Sequence, residues 1–117
     1  MAKGGAQHRS AQETICRFFR ASGCFAVIEG CIDGHKLVDV LVFDPQTKRR
    51  TAVEFQTGRK NALRNIYLNF KAGCCDRVMI VCADQKVLGG IKAEAERILD
   101  AYTYSKVTFR LLEDFIP

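Results

Sequence analysis

Residues 37–56 read LVDVLVFDPQTKRRTAVEFQ, and this stretch decides the fold. Leu37 to Phe43 is apolar on both faces apart from Asp39, the pattern of a strand covered on both sides. Asp44-Pro45-Gln46-Thr47 is turn chemistry, because proline presets φ and aspartate bonds the backbone just beyond it. Thr51 to Phe55 then resumes as a strand. Opposed residues of an antiparallel hairpin keep a constant index sum, and pairing Asp39 with Glu54 puts the tip between Gln46 and Thr47, inside that turn. The hairpin therefore makes Asp39 and Glu54 cross-strand neighbours, with Cβ atoms about 4.5–5.5 Å apart or one step diagonal.

Upstream, Ala11, Ile15, Phe18 and Phe19 recur at helical spacing from about Ser10 to Ala21, and Ser22-Gly23 stops the helix. Cys24 to Ile32 is a strand closed by Asp33-Gly34. Downstream, a helix follows Thr57-Gly58 and runs to about Ala72, with Ala62, Leu63, Ile66 and Phe70 inward. Arg77 to Cys82 has no polar interruption and is a central strand. Asp84 caps a further helix that runs toward Tyr102 and is weakened at Gly89-Gly90. Val107 to Leu112 is the last strand. The order α-β-β-β-α-β-α-β gives an α/β fold, a mixed sheet with helices on both faces. One domain spans 1–117, with residues 1–9 a partly flexible arm.

Composition narrows the function classes. At 117 residues, 48% hydrophobic and 26% charged, the chain fits one compact domain and excludes wholesale disorder or a separate cofactor domain. No apolar run reaches the roughly 18 residues of a membrane span, and Met1 to Gly5 lacks a secretory core, so a cytoplasmic protein is expected. The six cysteines form no Cys-x-x-Cys and no Cys/His cluster, which argues against structural zinc and for reduced thiols. The net charge of +5 is localised. Residues 48–77 carry eight basic side chains against Glu54 and Asp76, while the flanking stretches are near neutral. Such a field suits a polyanion.

Asp39 and Glu54 interrupt strands that are otherwise apolar. Ionisable groups there are costly unless paired or bound to a metal. Two adjacent carboxylates repel unless a proton or cation lies between them, and an oxygen-only site suits Mg²⁺ or Mn²⁺. Gln56 shares the face of Glu54 two residues along, able to orient water or phosphate, and the Phe55 backbone carbonyl between them is a further metal ligand. The competing reading pairs the acids with Lys36, Arg59 or Lys60 near a sheet edge.

Asp39 followed by Glu54-Phe55-Gln56 on the next strand, within an α-β-β-β-α-β core, resembles the PD-(D/E)xK nuclease superfamily. That superfamily includes type II restriction enzymes and archaeal Holliday-junction resolvases, and the resemblance covers roughly residues 3–83. It implies a restriction-endonuclease-like fold, with Asp39 and Glu54 holding divalent metal for phosphodiester hydrolysis. Lys3-Gly4, three residues, then His8-Arg9 is similar to the opening of the resolvase branch, with His8 where the helix glutamate would stand. Similar small domains fused to conjugation-type ATPases suggest branched or mobile-element DNA as the setting. Val38 replaces the usual proline, and Gln56 replaces the usual lysine, for which Lys60 or Lys36 could substitute. His8 is either a metal, base or phosphate-contacting group or a half-exposed histidine at a helix start. Glu13 belongs to a Ser10–Glu13 capping box and is structural.

Lys60, Arg64, Tyr67 and Lys71 fall at i, i+4, i+7 and i+11, one stripe of the helix after Glu54. Arg59 joins Lys60 at its N-terminus, where the helix dipole attracts phosphate, and Arg9 adds a cation from the first helix. The expected function is a metal-dependent DNA endonuclease-like domain with Asp39, Glu54, Gln56 and His8 as its catalytic set. Expected partners are DNA and, in a homodimer, a second copy of the chain, without a membrane or small-molecule cofactor. The alternatives are a non-catalytic nucleic-acid-binding module of the same fold and an assembly domain joined through the strand Val107 to Leu112.

Overall fold

A computed structural model describes residues 5–32, 36–73 and 75–117. The elements are α1 (Ala6–Ala21), β1 (Phe25–Ile28), β2 (Cys31–Ile32), β3 (Lys36–Leu37), β4 (Val40–Asp44), β5 (Arg49–Gln56), α2 (Ala62–Ala72), β6 (Arg77–Cys82), α3 (Gln85–Ile98), α4 (Ala101–Tyr104) and β7 (Val107–Leu111). A 3₁₀ turn over Leu112–Phe115 follows β7. The main sheet has the order β1-β4-β5-β6-β7, antiparallel from β1 to β5 and parallel from β5 to β7. This is the five-stranded mixed sheet with flanking helices that the sequence pattern implies.

The two faces of the sheet hold separate cores. Ala11, Ile15 and Cys16 of α1 pack on Val40, Val42, Val53, Phe55 and Val81, with Phe115 closing the rim. Ala62 and Ile66 of α2 and Ile91 of α3 pack on Ala52, Val78, Ile80 and Cys82 from the other side. Ile15, Ile66, Ile80 and Ile91 are fully buried, each worth about 1.5–3 kcal/mol of transfer free energy. β5 is central, and its last five residues are buried on both faces.

The hairpin register matches the sequence reading. Val40 lies opposite Val53 and Asp44 opposite Arg49, so one step further places Asp39 opposite Glu54. The strand before this hairpin and its first strand are shorter than expected, whereas β5 extends the expected Thr51 to Phe55 at both ends. Cys24–Ile32 divides into β1 and β2, and Leu37–Phe43 into β3 and β4, because both chains bend at the same level. Glu29 adopts φ 54° there, while Glu29 N–H donates to the Asp39 carbonyl and Val38 N–H to that of Gly30. A Cβ on Gly30 would stand 2.7 Å from the Leu41 Cβ, so the bend requires glycine.

The helices differ from expectation at their starts. α1 begins at Ala6 with Gly5 as N-cap and no side-chain cap, so the Ser10–Glu13 capping box is not used. α2 begins at Ala62, after Asn61 in the left-handed conformation at φ 65°, which leaves Arg59 and Lys60 in the preceding turn. Asp84 caps α3 as expected, its Oδ1 accepting from Val87 N–H at 2.9 Å. α3 runs through Gly89-Gly90 without a break and stops at Ile98. Asp100 caps the separate α4, and its hydrogen bonds to Thr103 hold its carboxyl below the ordinary value. Among the described residues no helix is long and apolar enough to cross a membrane.

Candidate functional site

The buried polar residues gather where β4 begins and β5 ends. Asp39 is 1% exposed and sits at the bend just before β4. Val38 packs in the α2-side core and Val40 in the α1-side core. In an unbroken strand the two would share a face, so the alternation breaks at Asp39. The break turns the carboxylate toward α1 and along the sheet plane. Its Oδ2 accepts from Phe55 N–H at 2.7 Å. Its Oδ1 accepts from His8 Nε2 at 2.8 Å and Gln12 Nε2 at 3.3 Å. Asp39 thus supplies to β5 the acceptor that β4 would otherwise provide, and ties α1 to the same point.

With Asp39 ionised, this contact takes the tautomer of His8 that carries a proton on Nε2. The ring also meets Phe55 edge-on at 5.5 Å between centroids. The earlier start of α1 brings His8 to this point. His8 is half-buried, so it forms the solvent-side wall of the cluster. Arg9 is exposed beside it, and Glu13 is exposed on the outer side of α1.

Glu54 is fully buried and turns to the opposite face, where its Oε2 accepts from Asn69 Nδ2 of α2 at 2.9 Å. Asp39 and Glu54 are therefore opposed in register, yet each carboxylate has its own amide partner from a different helix. The pairing argument placed the backbones correctly, but it assumed unbroken alternation through position 39. Gln56 is 8% exposed at the end of β5, and its carbonyl accepts from Ala83 N–H at 3.0 Å. In a strand the N–H and C=O of one residue face the same neighbour, so the Phe55 carbonyl faces the side on which Asp39 meets its N–H.

Gln12 and Asn69 were not among the sequence candidates. Both are fully buried, and Gln12 Oε1 and Asn69 Oδ1 have no protein partner. Their signal was legible: Gln12 adjoins Ala11 on the apolar face of α1, and Asn69 follows Ala62 and Ile66 at inward spacing on α2. A polar residue at such a position needs a polar partner in the core. Two buried amide oxygens beside two buried carboxylates are hard oxygen donors, the kind Mg²⁺ and Mn²⁺ accept. Among the described residues, no group of three or more His, Cys, Asp or Glu side chains is arranged to hold a metal ion. Asp39 and Glu54 face different sides of the sheet, so a cation shared by both requires one carboxylate to turn from its amide partner.

The basic residues do not form one surface. Arg59, Lys60, Arg64 and Lys71 are exposed, but only Arg64 and Lys71 lie on α2, flanking the exposed Tyr67, over whose ring Lys71 Nζ stands at 5.8 Å. Arg59 lies along α3, its Cδ over Gly90 where a Cβ would come within 2.5 Å. Lys48, Arg49, Arg50 and Arg77 sit at the other end of β5, at the turn. The basic run of residues 48–77 is thus divided between opposite ends of the sheet. Lys3, Gly4 and the Lys36 side chain lie outside the described residues.

Among the described residues no thiol contacts a side chain of this cluster through a hydrogen bond. Cys16, Cys24 and Cys82 are free, Cys75 Sγ lies 3.5 Å from the Asn69 carbonyl, and burial pushes the Cys82 thiol up to about 11. Cys31 and Cys74 side chains lie outside the described residues. A cavity of about 520 Å³ lies elsewhere, between α1 at Phe18 and the C-terminal residues Asp114–Pro117.

No family model and no curated protein matches the chain. Among solved structures it is similar to a protein of unknown function from Silicibacter pomeroyi, with 19% sequence identity and a TM-score of 0.54. The match covers 86% of this chain, and the chain spans 62% of that protein's length. The likeness is one of fold, a mixed α/β sheet shared by two chains of little sequence identity.

Proposed function

We propose that the Asp39–Glu54 end of the sheet is a PD-(D/E)xK-type site, restriction-endonuclease-like in layout, that hydrolyses DNA phosphodiester bonds with Mg²⁺ or Mn²⁺. One observation carries the reading: Asp39 joins His8 of α1 to the N–H of Phe55, the residue between Glu54 and Gln56. The four side chains of the resemblance thereby belong to one end of the sheet. Asp39, Glu54 and the Phe55 carbonyl would hold the cation. Bound there, the ion would supply activation of water and neutralisation of developing phosphate charge.

The chain's own groups supply the rest. Asn69 holds Glu54 on the α2 side and Gln12 holds Asp39 on the α1 side, so a shared cation would draw Glu54 from Asn69 toward Asp39. His8 meets Asp39 through Nε2 on the solvent side of the cluster, where its ring would orient water or contact a phosphate oxygen. Gln56 offers a neutral amide where the superfamily lysine would offer a cation. Arg59, Lys60 and Arg64 follow β5 directly and are exposed for backbone contacts. The test is cleavage of branched, duplex and single-stranded DNA with Mg²⁺ or Mn²⁺. Asp39→Asn and Glu54→Gln are expected to lower the rate at least a hundredfold while remaining folded. No cleavage of any substrate, or cleavage unchanged in both variants, overturns it.

The neutral Gln56 favours a second reading, a nucleic-acid-binding module that keeps the fold without hydrolysis. It predicts metal-free, salt-sensitive binding that Lys60→Ala and Arg64→Ala weaken, with no cleavage by the wild type.

A further inference from the structure

The turn end of the sheet carries a cationic surface separate from the carboxylate cluster. A shallow depression of about 290 Å³ is lined by Thr47, Lys48, Arg49, Asp76, Arg77 and Lys106. The residues come from distant parts of the sequence and are brought together by strand order. Arg49 opens β5, Arg77 opens β6 opposite Thr51, and Lys106 precedes β7, where Val107 lies opposite Val78. Three adjacent strands therefore present cations side by side, over about 10 Å given the 4.7–4.9 Å strand spacing.

The acids at this end, Asp44 and Asp76, offset the five cations Lys48, Arg49, Arg50, Arg77 and Lys106 only in part. Asp76 Oδ2 accepts from Arg50 N–H at 2.8 Å, while Asp76 N–H donates to the Arg50 carbonyl at 2.8 Å. Asp44 Oδ1 accepts from Gln46 N–H within the turn. Both carboxylates thus satisfy backbone donors. Lys106 Nζ stands over the Tyr102 ring at 4.3 Å, and Arg77 Nη2 donates weakly to the Ser105 carbonyl. The backbone positions are held by the sheet, so the stems of the cations have a fixed spacing, while the exposed Lys48 and Arg49 side chains stay free to adjust to a bound strand.

We infer that this surface is a second nucleic-acid contact, gripping backbone phosphates at the end of the sheet remote from Glu54. The depression is open and polar, and its cations are spread across three strands. That geometry suits successive phosphates of a chain better than one small enclosed anion. The eight residues of β5 separate it from the Arg59–Arg64 region by about 25 Å at 3.3 Å per residue. A single domain would then hold nucleic acid at two points. The inference shares with the function proposed above only the partner, and requires neither metal nor cleavage.

The experiment is fluorescence-anisotropy binding of a labelled 30-base-pair DNA duplex in EDTA, across a salt series. The full chain is compared with the triple variant Arg49→Gln/Arg77→Gln/Lys106→Gln and with Lys60→Gln/Arg64→Gln. The triple variant is expected to bind at least tenfold more weakly. Its slope of log K against log salt should be shallower by about 0.9 for each phosphate no longer neutralised. The α2 variant should weaken binding separately, and the two effects should combine. Unchanged affinity and slope in the triple variant overturn the inference, leaving the α2 surface as the binding face if that variant alone is weakened. Should the triple variant not fold, the exposed single substitutions Lys48→Gln and Arg49→Gln are read instead, and no change in slope for either overturns it equally.

Discussion

Replacing Asp39 by alanine removes an acceptor from three donors at once. The Phe55 N–H at 2.7 Å and Gln12 Nε2 at 3.3 Å are buried, whereas His8 Nε2 at 2.8 Å is near solvent and can turn to water. Each buried donor left without an acceptor costs about 1–3 kcal/mol, so Asp39→Ala should cost about 2–6 kcal/mol. That is a large share of the 5–15 kcal/mol typical of a domain. Asp39→Asn keeps the shape and one carbonyl oxygen for Phe55 N–H. Its new N–H₂ can be met by Gln12, whose Oε1 lacks a protein partner, through rotation of the amide. The cost should then fall below about 1.5 kcal/mol, the ordinary net worth of one hydrogen bond. Urea denaturation read by circular dichroism checks both, with an unchanged m-value showing that the variants unfold from the same compact state. Equal, small losses for the two variants would refute the role of Asp39 as the point joining α1 to β5.

Three further outcomes follow from single contacts. Asn69→Leu should cost about 1–3 kcal/mol in chemical denaturation, because a buried carboxylate is deprived of a buried donor, and Asn69→Asp should recover stability as pH falls and one acid of the new pair takes a proton. Gly89→Ala should stabilise by about 0.5–1 kcal/mol, since an added Cβ meets nothing within 4 Å in a helix, while Gly30→Ala should destabilise by about 1–3 kcal/mol against Leu41, both read from melting curves. Burial raises the Cys82 thiol from 9.0 to about 11; between these values the unfolded thiol ionises first, the folded state binds more protons, and stability should decline as pH rises from about 9 to 11, a slope that Cys82→Ala should flatten.

The strands were legible because residues 37–56 combine two-sided apolar character with turn chemistry, and one register satisfied both. Asp84 was legible as a cap for the same local reason. The bend at Glu29-Gly30 and Val38-Asp39 was not, because it depends on a close approach between Gly30 and Leu41 that no local pattern encodes. That bend decides where Asp39 points. The early start of α1 was hidden as well: Ser10 to Glu13 has the form of a capping box, but the contacts of His8 and Gln12 with Asp39 favour a longer helix. Gln12 and Asn69 carried a readable signal, a polar residue on an apolar helical face, whose meaning depended on partners from other elements. The basic run was contiguous in the chain, yet β5 passes through its middle and carries its two halves to opposite ends.

The residues with chemical potential are also the residues that hold the layers together. Asp39 replaces a ladder hydrogen bond, Glu54 and Asn69 join β5 to α2, and Gln12 joins α1 to the start of β4. Truncation at any of them mixes loss of structure with loss of chemistry, since each leaves a buried group unsatisfied. Isosteric changes separate the two, because Asp39→Asn and Glu54→Gln remove negative charge while keeping volume and most hydrogen bonds. Each carboxylate is held by the same hydrogen bonds that make the fold stable. Rates measured in the isosteric variants, set beside their unfolding free energies, therefore show whether the buried charges serve chemistry or only the junction of α1, β5 and α2.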